Sequence, residues 1–235
     1  MKVLELFAGT RSIGRAFERK GHEVFSVEWD RKHPDIDLYI DIGKLTSAEI
    51  LEKFGKPDVV WMSPDCCSFS LAAISHHRNG IEPKTDYAKF CDAVDAHCMD
   101  LLRELKPTYY FIENPAGMFQ HMPYLKKFLD ETGGRKHLLC YCKYSDPWTD
   151  ENGVSHMPRK KPTHIFTNHP NPKFIPPCKN GDPCHEKAPR GSRTGTQGLK
   201  NAVERSRIPD RLCDHIVEIC ESAPEPEGID AFIEK

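Results

Sequence analysis

Short apolar runs alternate with amphipathic helical patterns through the first half of this 235-residue chain, and that alternation leaves few folds open. Val3-Leu4-Glu5-Leu6-Phe7 reads as a strand that enters the turn Ala8-Gly9-Thr10, and a helix is expected from Ser12 to Lys20. A second strand, Glu23 to Val27, ends in Glu28. Thr46-Ser47-Ala48-Glu49 has the form of a capping box and opens a short helix with Ile50, Leu51 and Phe54 on its apolar face. Val59-Val60-Trp61 is a buried strand by composition. Thr85 to Leu105 carries Tyr87, Phe90, Cys91, Val94, Cys98, Leu101 and Leu105 at helical spacing, its two cysteines reading as core packing. Tyr109 to Ile112, Leu138 to Cys142 and His164 to Thr167 read as later strands, and Pro209 to Ser222 as a final helix. The expected fold is α/β, a doubly wound, mostly parallel sheet.

Sheets of this kind place their chemistry at the carboxyl ends of the strands. The strand at Val59 runs into Met62-Ser63-Pro64-Asp65-Cys66-Cys67-Ser68-Phe69-Ser70, which turns at Pro64 and presents two thiols. The strand at Tyr109 ends in Glu113-Asn114-Pro115. A thiol and a carboxyl delivered to one edge suit nucleophilic addition with a proton donor alongside. The first strand, its glycine turn and its helix form a cradle for a nucleotide-like cofactor, and an acid such as Glu28 can hold ribose hydroxyls. Arg11 stands where a dinucleotide cradle needs a second glycine for the pyrophosphate. S-adenosylmethionine has no pyrophosphate, so a methyl donor is favoured.

In this order the motifs resemble those of the cytosine-C5 DNA methyltransferase family. Phe7-Ala8-Gly9-Thr10 with Gly14, then Glu28-Trp29, Asp41-Ile42, Pro64 with Cys66 before Phe69-Ser70, and Glu113-Asn114 cover roughly the first half of the chain. The resemblance implies a sheet of the class I S-adenosylmethionine-dependent methyltransferase type. It implies a cofactor site of Phe7, Ala8, Gly9, Thr10, Glu28, Trp29, Asp41, Ile42 and Pro64, with Trp29 on adenine and Asp41 near its amino group. It implies DNA as substrate, Cys66 as the nucleophile at cytosine C6, and Glu113 as proton or hydrogen-bond donor at N3. Ser70, Asn114, Arg159, Lys161 and Arg193 would contact substrate. The register against Phe69-Ser70 selects Cys66 over Cys67. Asp65 stands where the family has proline, and a carboxylate aimed at the nucleophile would raise its pKa. Arg159-Lys160-Lys161 resembles the stretch that carries base- and phosphate-binding arginines, Lys161 being the first choice. Gly195-Thr196-Gln197-Gly198 resembles the segment that closes over the cofactor.

The implied organisation is a catalytic core over 1–167, a short proline-rich recognition insert over 168–194, and a helical return over 195–235. So small an insert implies relaxed DNA specificity or a partner protein that supplies it. Two competing readings remain: an inactive nucleic-acid-binding module on the same fold, and an RNA cytosine methyltransferase. Net charge is −2, so basic character is local, at Arg159 to Lys161 and at Arg190, Arg193, Lys200, Arg205 and Arg207. The first strand starts at Val3 and there is no membrane-length apolar run, so a cytoplasmic, nucleoid-associated enzyme is expected. Ten cysteines in such a chain argue against a disulfide framework. Cys140, Cys142, Cys178, Cys184 and His185 lack the tight C-x2-C spacing, and no metal site is assigned to them. Structural zinc and unconnected thiols both stand open.

Overall fold

The computed structural model describes residues 1–71, 73–149, 152–186 and 206–222. Seven strands, β1 (Lys2–Leu6), β2 (Glu23–Glu28), β3 (Leu38–Tyr39), β4 (Val59–Met62), β5 (Tyr109–Pro115), β6 (Arg135–Cys140) and β7 (Pro162–Thr167), form one sheet in the order β3-β2-β1-β4-β5-β7-β6. Neighbours from β3 to β5 are parallel. β7 runs antiparallel between β5 and β6. This is the doubly wound, mostly parallel α/β sheet that the sequence predicts.

Helices α1 (Ser12–Arg19), α2 (Ser47–Lys53), α3 (Ile74–His77), α4 (Asp86–Leu105), α5 (Pro123–Thr132) and α6 (Asp210–Ser222) cover it. Successive strand residues point to opposite faces, so each strand feeds two cores. Leu4, Leu6, Val60, Met62, Tyr110 and Ile112 pack with α2, α4 and α5. Val3, Val59, Trp61, Phe111 and Ile165 pack with Ile13 and Phe17 of α1 and Leu212, Ile216 and Val217 of α6. The capping box at Thr46 is formed on both sides, and Thr85 caps α4 by accepting from the Ala88 amide.

Four expectations need correction. Phe90 is 55% exposed and Tyr87 is also exposed, because the first turn of α4 flanks the loop after β4, where Tyr87 meets Asp65. Leu51 is exposed, leaving Ile50 as the buried residue of α2. β6 ends at Cys140, and Cys142 lies in a 3-10 turn (Tyr141–Lys143) closed by the Tyr144 amide on the Tyr141 carbonyl, so the two cysteines do not share a strand face. β5 continues through Glu113, Asn114 and Pro115, because these pair with Ile165, His164 and Thr163 of β7. Among the described residues, 168–186 contain no helix or strand, and no helix is long and apolar enough to cross a membrane. Arg190, Arg193, Lys200, Arg205, the 195–198 segment and residues 223–235 lie outside the described residues.

Candidate active site

β4 and β5 are adjacent and parallel, with Met62 opposite Ile112, so their carboxyl ends open side by side. Asn114 spans the gap: its Nδ2 donates to the Pro64 carbonyl at 3.2 Å. Its buried Oδ1 has no hydrogen-bond partner among the described residues, which leaves an acceptor available at the site. Beyond Pro64 the chain closes a tight turn, with the Phe69 and Ser70 amides donating to the Cys66 carbonyl at 3.1 and 2.9 Å. Cys66 is half-buried in this turn and Cys67 is exposed.

Glu113 is 6% exposed and its Oε1 accepts from the Tyr141 hydroxyl at 2.8 Å. The Lys161 ammonium lies 4.5 Å from the centre of the Tyr141 ring. Cys66, Glu113, Tyr141 and Lys161 therefore form one electrostatic group. The neighbouring Cys67 thiol, burial and the Glu113 carboxylate all push the Cys66 thiol up, and Lys161 pulls it down. Cys67 moves down because Cys66 hydrogen-bonds to it. The two thiols titrate as a pair, and Cys66 becomes a better thiolate when the Glu113 charge is neutralised. Asp65 accepts from the Cys67 amide at 2.7 Å and acts on Cys67 and Tyr87. Its carboxylate is held on the Cys67 amide, and the charges named at Cys66 are those of Glu113, Cys67 and Lys161.

The loop is held from behind by Arg78, which sequence reasoning missed. The Arg78 side chain is fully buried. Its Nε and Nη2 donate to the Ser68 carbonyl and hydroxyl at 2.9 and 3.1 Å, and it forms a two-pronged pair with Asp92 of α4 at 2.7 and 3.0 Å. The guanidinium also stacks 4.2 Å from the centre of the Phe69 ring. Phe69 is fixed further by its carbonyl, which accepts from the Met118 amide at 3.0 Å. Tyr141 was missed as well. No local pattern marks either residue, since their partners come from distant parts of the chain.

Further along the sheet's carboxyl edge, β1 and β2 position the residues expected to hold the cofactor. Glu28 accepts from the Gly9 amide at 3.0 Å through Oε2, and from the Trp29 and Asp30 amides at 2.8 and 3.0 Å through Oε1. The carboxylate is thus fixed across the glycine turn by three backbone amides. Trp29 is 67% exposed beside it, an uncovered aromatic face next to an acid. Phe7, Gly9 and Arg11 all have positive φ, at 54°, 49° and 53°. Arg11 therefore adopts a backbone conformation ordinarily left to glycine, at a cost of about 1–2 kcal/mol, while its side chain pairs with Glu18. Thr10 bonds the Ser12 hydroxyl at 2.8 Å. Asp41 accepts from the Gly43 amide at 3.1 Å and pairs with Lys44, and Ile42 is buried. An acid held by amides, an exposed indole and a left-handed turn fit an adenosine-type ligand.

Arg159 pairs with Glu186 at 3.0 Å, and Ser70 sits half-buried at the end of the Cys66 turn. Four of the five candidate metal ligands (Cys142, Cys178, Cys184 and His185) come together, whereas Cys140 is not in that group and packs with Cys142 and Cys178 in a small apolar cluster.

The sequence matches the family described as C-5 cytosine-specific DNA methylase over residues 1–132. No curated protein matches it. Among solved structures, Dnmt2 methyltransferase of S. pombe aligns with TM-score 0.49 and 16% identity over 71% of this chain and 49% of that one. A DNMT2 mutant of Spodoptera frugiperda aligns with TM-score 0.46 and 19% identity over 76% and 53%. Precorrin-6y C5,15-methyltransferase of Geobacter metallireducens gives 0.39 and 15% over 71% and 78%. The chain spans about half the length of the two Dnmt2 structures.

Proposed function

We propose, from the premise that this chain belongs to the C-5 cytosine-specific DNA methylase family, that it methylates C5 of cytosine in DNA through a covalent bond to Cys66. S-adenosylmethionine is the methyl donor of that family. The observation that carries the reading is the convergence of Cys66 and Glu113 on adjacent parallel strand ends, locked together by the Asn114 bond to the Pro64 carbonyl.

Cytosine C5 is too weak a nucleophile to attack a methyl sulfonium unaided. A cytosine turned out of the stack would meet the Cys66 thiolate at C6. Glu113, oriented by the Tyr141 hydroxyl, delivers a proton or hydrogen bond to N3 as the C6–S bond forms, and the electron pair moves to C5. The protonated Glu113 that can donate to N3 carries no charge to hold the Cys66 thiol up, so the state that activates the base also favours the thiolate, and the carboxylate charge returns only as the proton passes to N3. Phe7, Ala8, Gly9, Thr10, Glu28, Trp29, Asp41, Ile42 and Pro64 would hold S-adenosylmethionine, which supplies an electrophilic methyl group. After C5 is methylated, loss of its proton restores the ring and expels the Cys66 thiolate. Lys161, whose ammonium lies over the Tyr141 ring, would meet the base or its phosphate, although it lacks the fork of an arginine.

DNA containing 5-fluorocytosine tests this reading, because fluorine cannot leave as a proton does. The expected result is a denaturation-resistant adduct that needs S-adenosylmethionine, is lost in Cys66→Ser and persists in Cys67→Ser. Adduct formation in Cys66→Ser would overturn the assignment. Parallel incubation with fluorocytosine RNA decides the substrate: trapping on RNA alone would replace DNA in the proposal.

A further inference from the structure

The sequence places Cys142, Cys178 and the Cys184-His185 pair far apart, yet the fold gathers them. Their ligand atoms all lie within 4.8 Å of one another. Cys142 Sγ is 3.4 Å from Cys178 Sγ and 3.9 Å from Cys184 Sγ. His185 Nδ1 is 3.7 Å from Cys178 Sγ and 3.5 Å from Cys184 Sγ. Metal–ligand bonds of about 2.3 Å to sulfur and about 2.0 Å to nitrogen give a tetrahedron with edges of about 3.8 Å (S–S) and about 3.5 Å (S–N). The four separations match those edges. They are far too long for a disulfide, whose sulfurs lie about 2.0 Å apart. Cys91, Cys98, Cys213 and Cys220 show the contrast, as each packs on a helix face in a main core.

We propose that Cys142, Cys178, Cys184 and His185 bind one structural zinc ion. Three thiolates and an imidazole make a soft donor set, suited to zinc and poorly suited to magnesium or calcium. Binding releases one proton from each of the three thiols, with His185 coordinating through Nδ1 in its neutral form. No redox step is involved.

The fold has a use for such an ion. Residues 168–186 contain no helix or strand, and prolines at 170, 172, 176, 177 and 183 prevent one. Segments without their own core are commonly held by a metal. Here zinc would tie Cys178, Cys184 and His185 to the turn that follows β6. The next residue, Glu186, holds the chain entering β7: it accepts from the Met157 amide at 3.0 Å, pairs with Arg159 at 3.0 Å and donates its own amide to the Pro158 carbonyl at 3.0 Å. At the other end, Cys142 follows Tyr141, the residue bonded to Glu113. A single ion would thus brace both the basic stretch 159–161 and the turn that orients the acid. This inference does not depend on which nucleic acid is the substrate.

Elemental analysis of the full chain, purified without chelators or a metal-affinity tag, tests it directly. About one zinc per chain is expected. The cobalt-exchanged protein should show the intense visible absorption of tetrahedral thiolate coordination, and a chelator should lower the thermal midpoint until zinc is returned. Cys184→Ser and His185→Ala should lose most of the bound metal, whereas Cys220→Ser should keep it. A chain without zinc after growth with added zinc would overturn the proposal, as would a Cys142–Cys178 disulfide or full zinc retention in both ligand variants. The native content and the cobalt spectrum remain decisive even if a variant fails to fold.

Discussion

Replacing Arg78 by methionine isolates the support behind the Cys66 turn. The guanidinium is fully buried and meets Asp92 with both prongs, at 2.7 and 3.0 Å. Removing one partner of a buried pair strands the other charge, and such changes cost about 3–5 kcal/mol. The Asp92 side chain keeps 19% of its surface, which places the expected loss toward the lower end of that range. The Ser68 and Ile81 carbonyls lose a donor in the same step, and Phe69 loses its stacked cation. These losses overlap and are not summed. For a chain of this size each kcal/mol moves the midpoint by about 2–4 °C, so Arg78→Met should melt roughly 6–20 °C lower. Urea unfolding followed by tryptophan fluorescence gives the free energy. The double variant Arg78→Met/Asp92→Leu should recover at least half of the loss, because no charge is then left buried alone. Below both midpoints, Arg78→Met should still trap less fluorocytosine DNA than the parent chain, since Ser68 and Phe69 are no longer held. A single-variant cost under about 1 kcal/mol, the range of a surface ion pair, would refute the reasoning. So would a double variant weaker than the single.

Three further outcomes are expected. Glu113→Gln, in a Cys67→Ser background, removes the charge that pushes the Cys66 thiol up, so the pH of half-maximal alkylation should fall by about 1 unit or more; an unchanged profile would separate the two groups. Burial raises Glu5 to about 7 and lowers His164 to about 4. The folded chain therefore keeps the Glu5 proton that the unfolded chain loses above about pH 4.5, and refuses the His164 proton that the unfolded chain takes up below about pH 6.5. The first effect makes stability fall with rising pH and the second makes it rise, each by at most about 1.4 kcal/mol per unit. Urea midpoints between pH 4.5 and 6.5 should therefore climb with pH more steeply in Glu5→Gln and less steeply in His164→Asn than in the parent; equal slopes would contradict both shifts. A Cβ on Gly117 would stand 2.6 Å from the Phe69 carbonyl oxygen, so Gly117→Ala should cost about 1–3 kcal/mol, read as a lowered thermal midpoint, and a neutral result would deny the close approach.

The parts of the molecule that were legible in the sequence are those fixed by local pattern. Apolar runs at Val3, Val59 and Tyr109, separated by helical spacing, specify a doubly wound sheet, and its geometry brings Cys66 and Glu113 to one edge. The antiparallel insertion of β7 was not legible, because no residue in Pro162 to Thr167 encodes which neighbour it will have. Its pairing is also why Glu113 lies within a strand and not after one. Arg78 escaped notice because its worth comes from Asp92 on α4 and Ser68 in the loop, partners that only the folded chain supplies. The thiol cluster was legible only as a set of candidates: Cys142 and Cys178 are 36 positions apart, outside any local metal motif, so the fold alone shows that Cys142, Cys178, Cys184 and His185 meet and Cys140 does not join them. Asp65, an oddity in sequence, becomes unremarkable once its carboxylate is seen on the Cys67 amide.

The position of β7 also sets an order of events. In the chain it follows β5 and β6, yet in the sheet it lies between them, and among the described residues β6 has no other neighbour. A nascent chain that has reached residue 132 can align β1 to β5, but the outer edge of β5 then has nothing to pair with. Such an open edge invites association with other chains. Glu113 is on that edge strand, and Ile165 faces it across the seam. Glu113 therefore acquires its strand setting only when the last strand arrives, and a partly made protein would have the Cys66 turn beside a Glu113 strand with an unpaired edge.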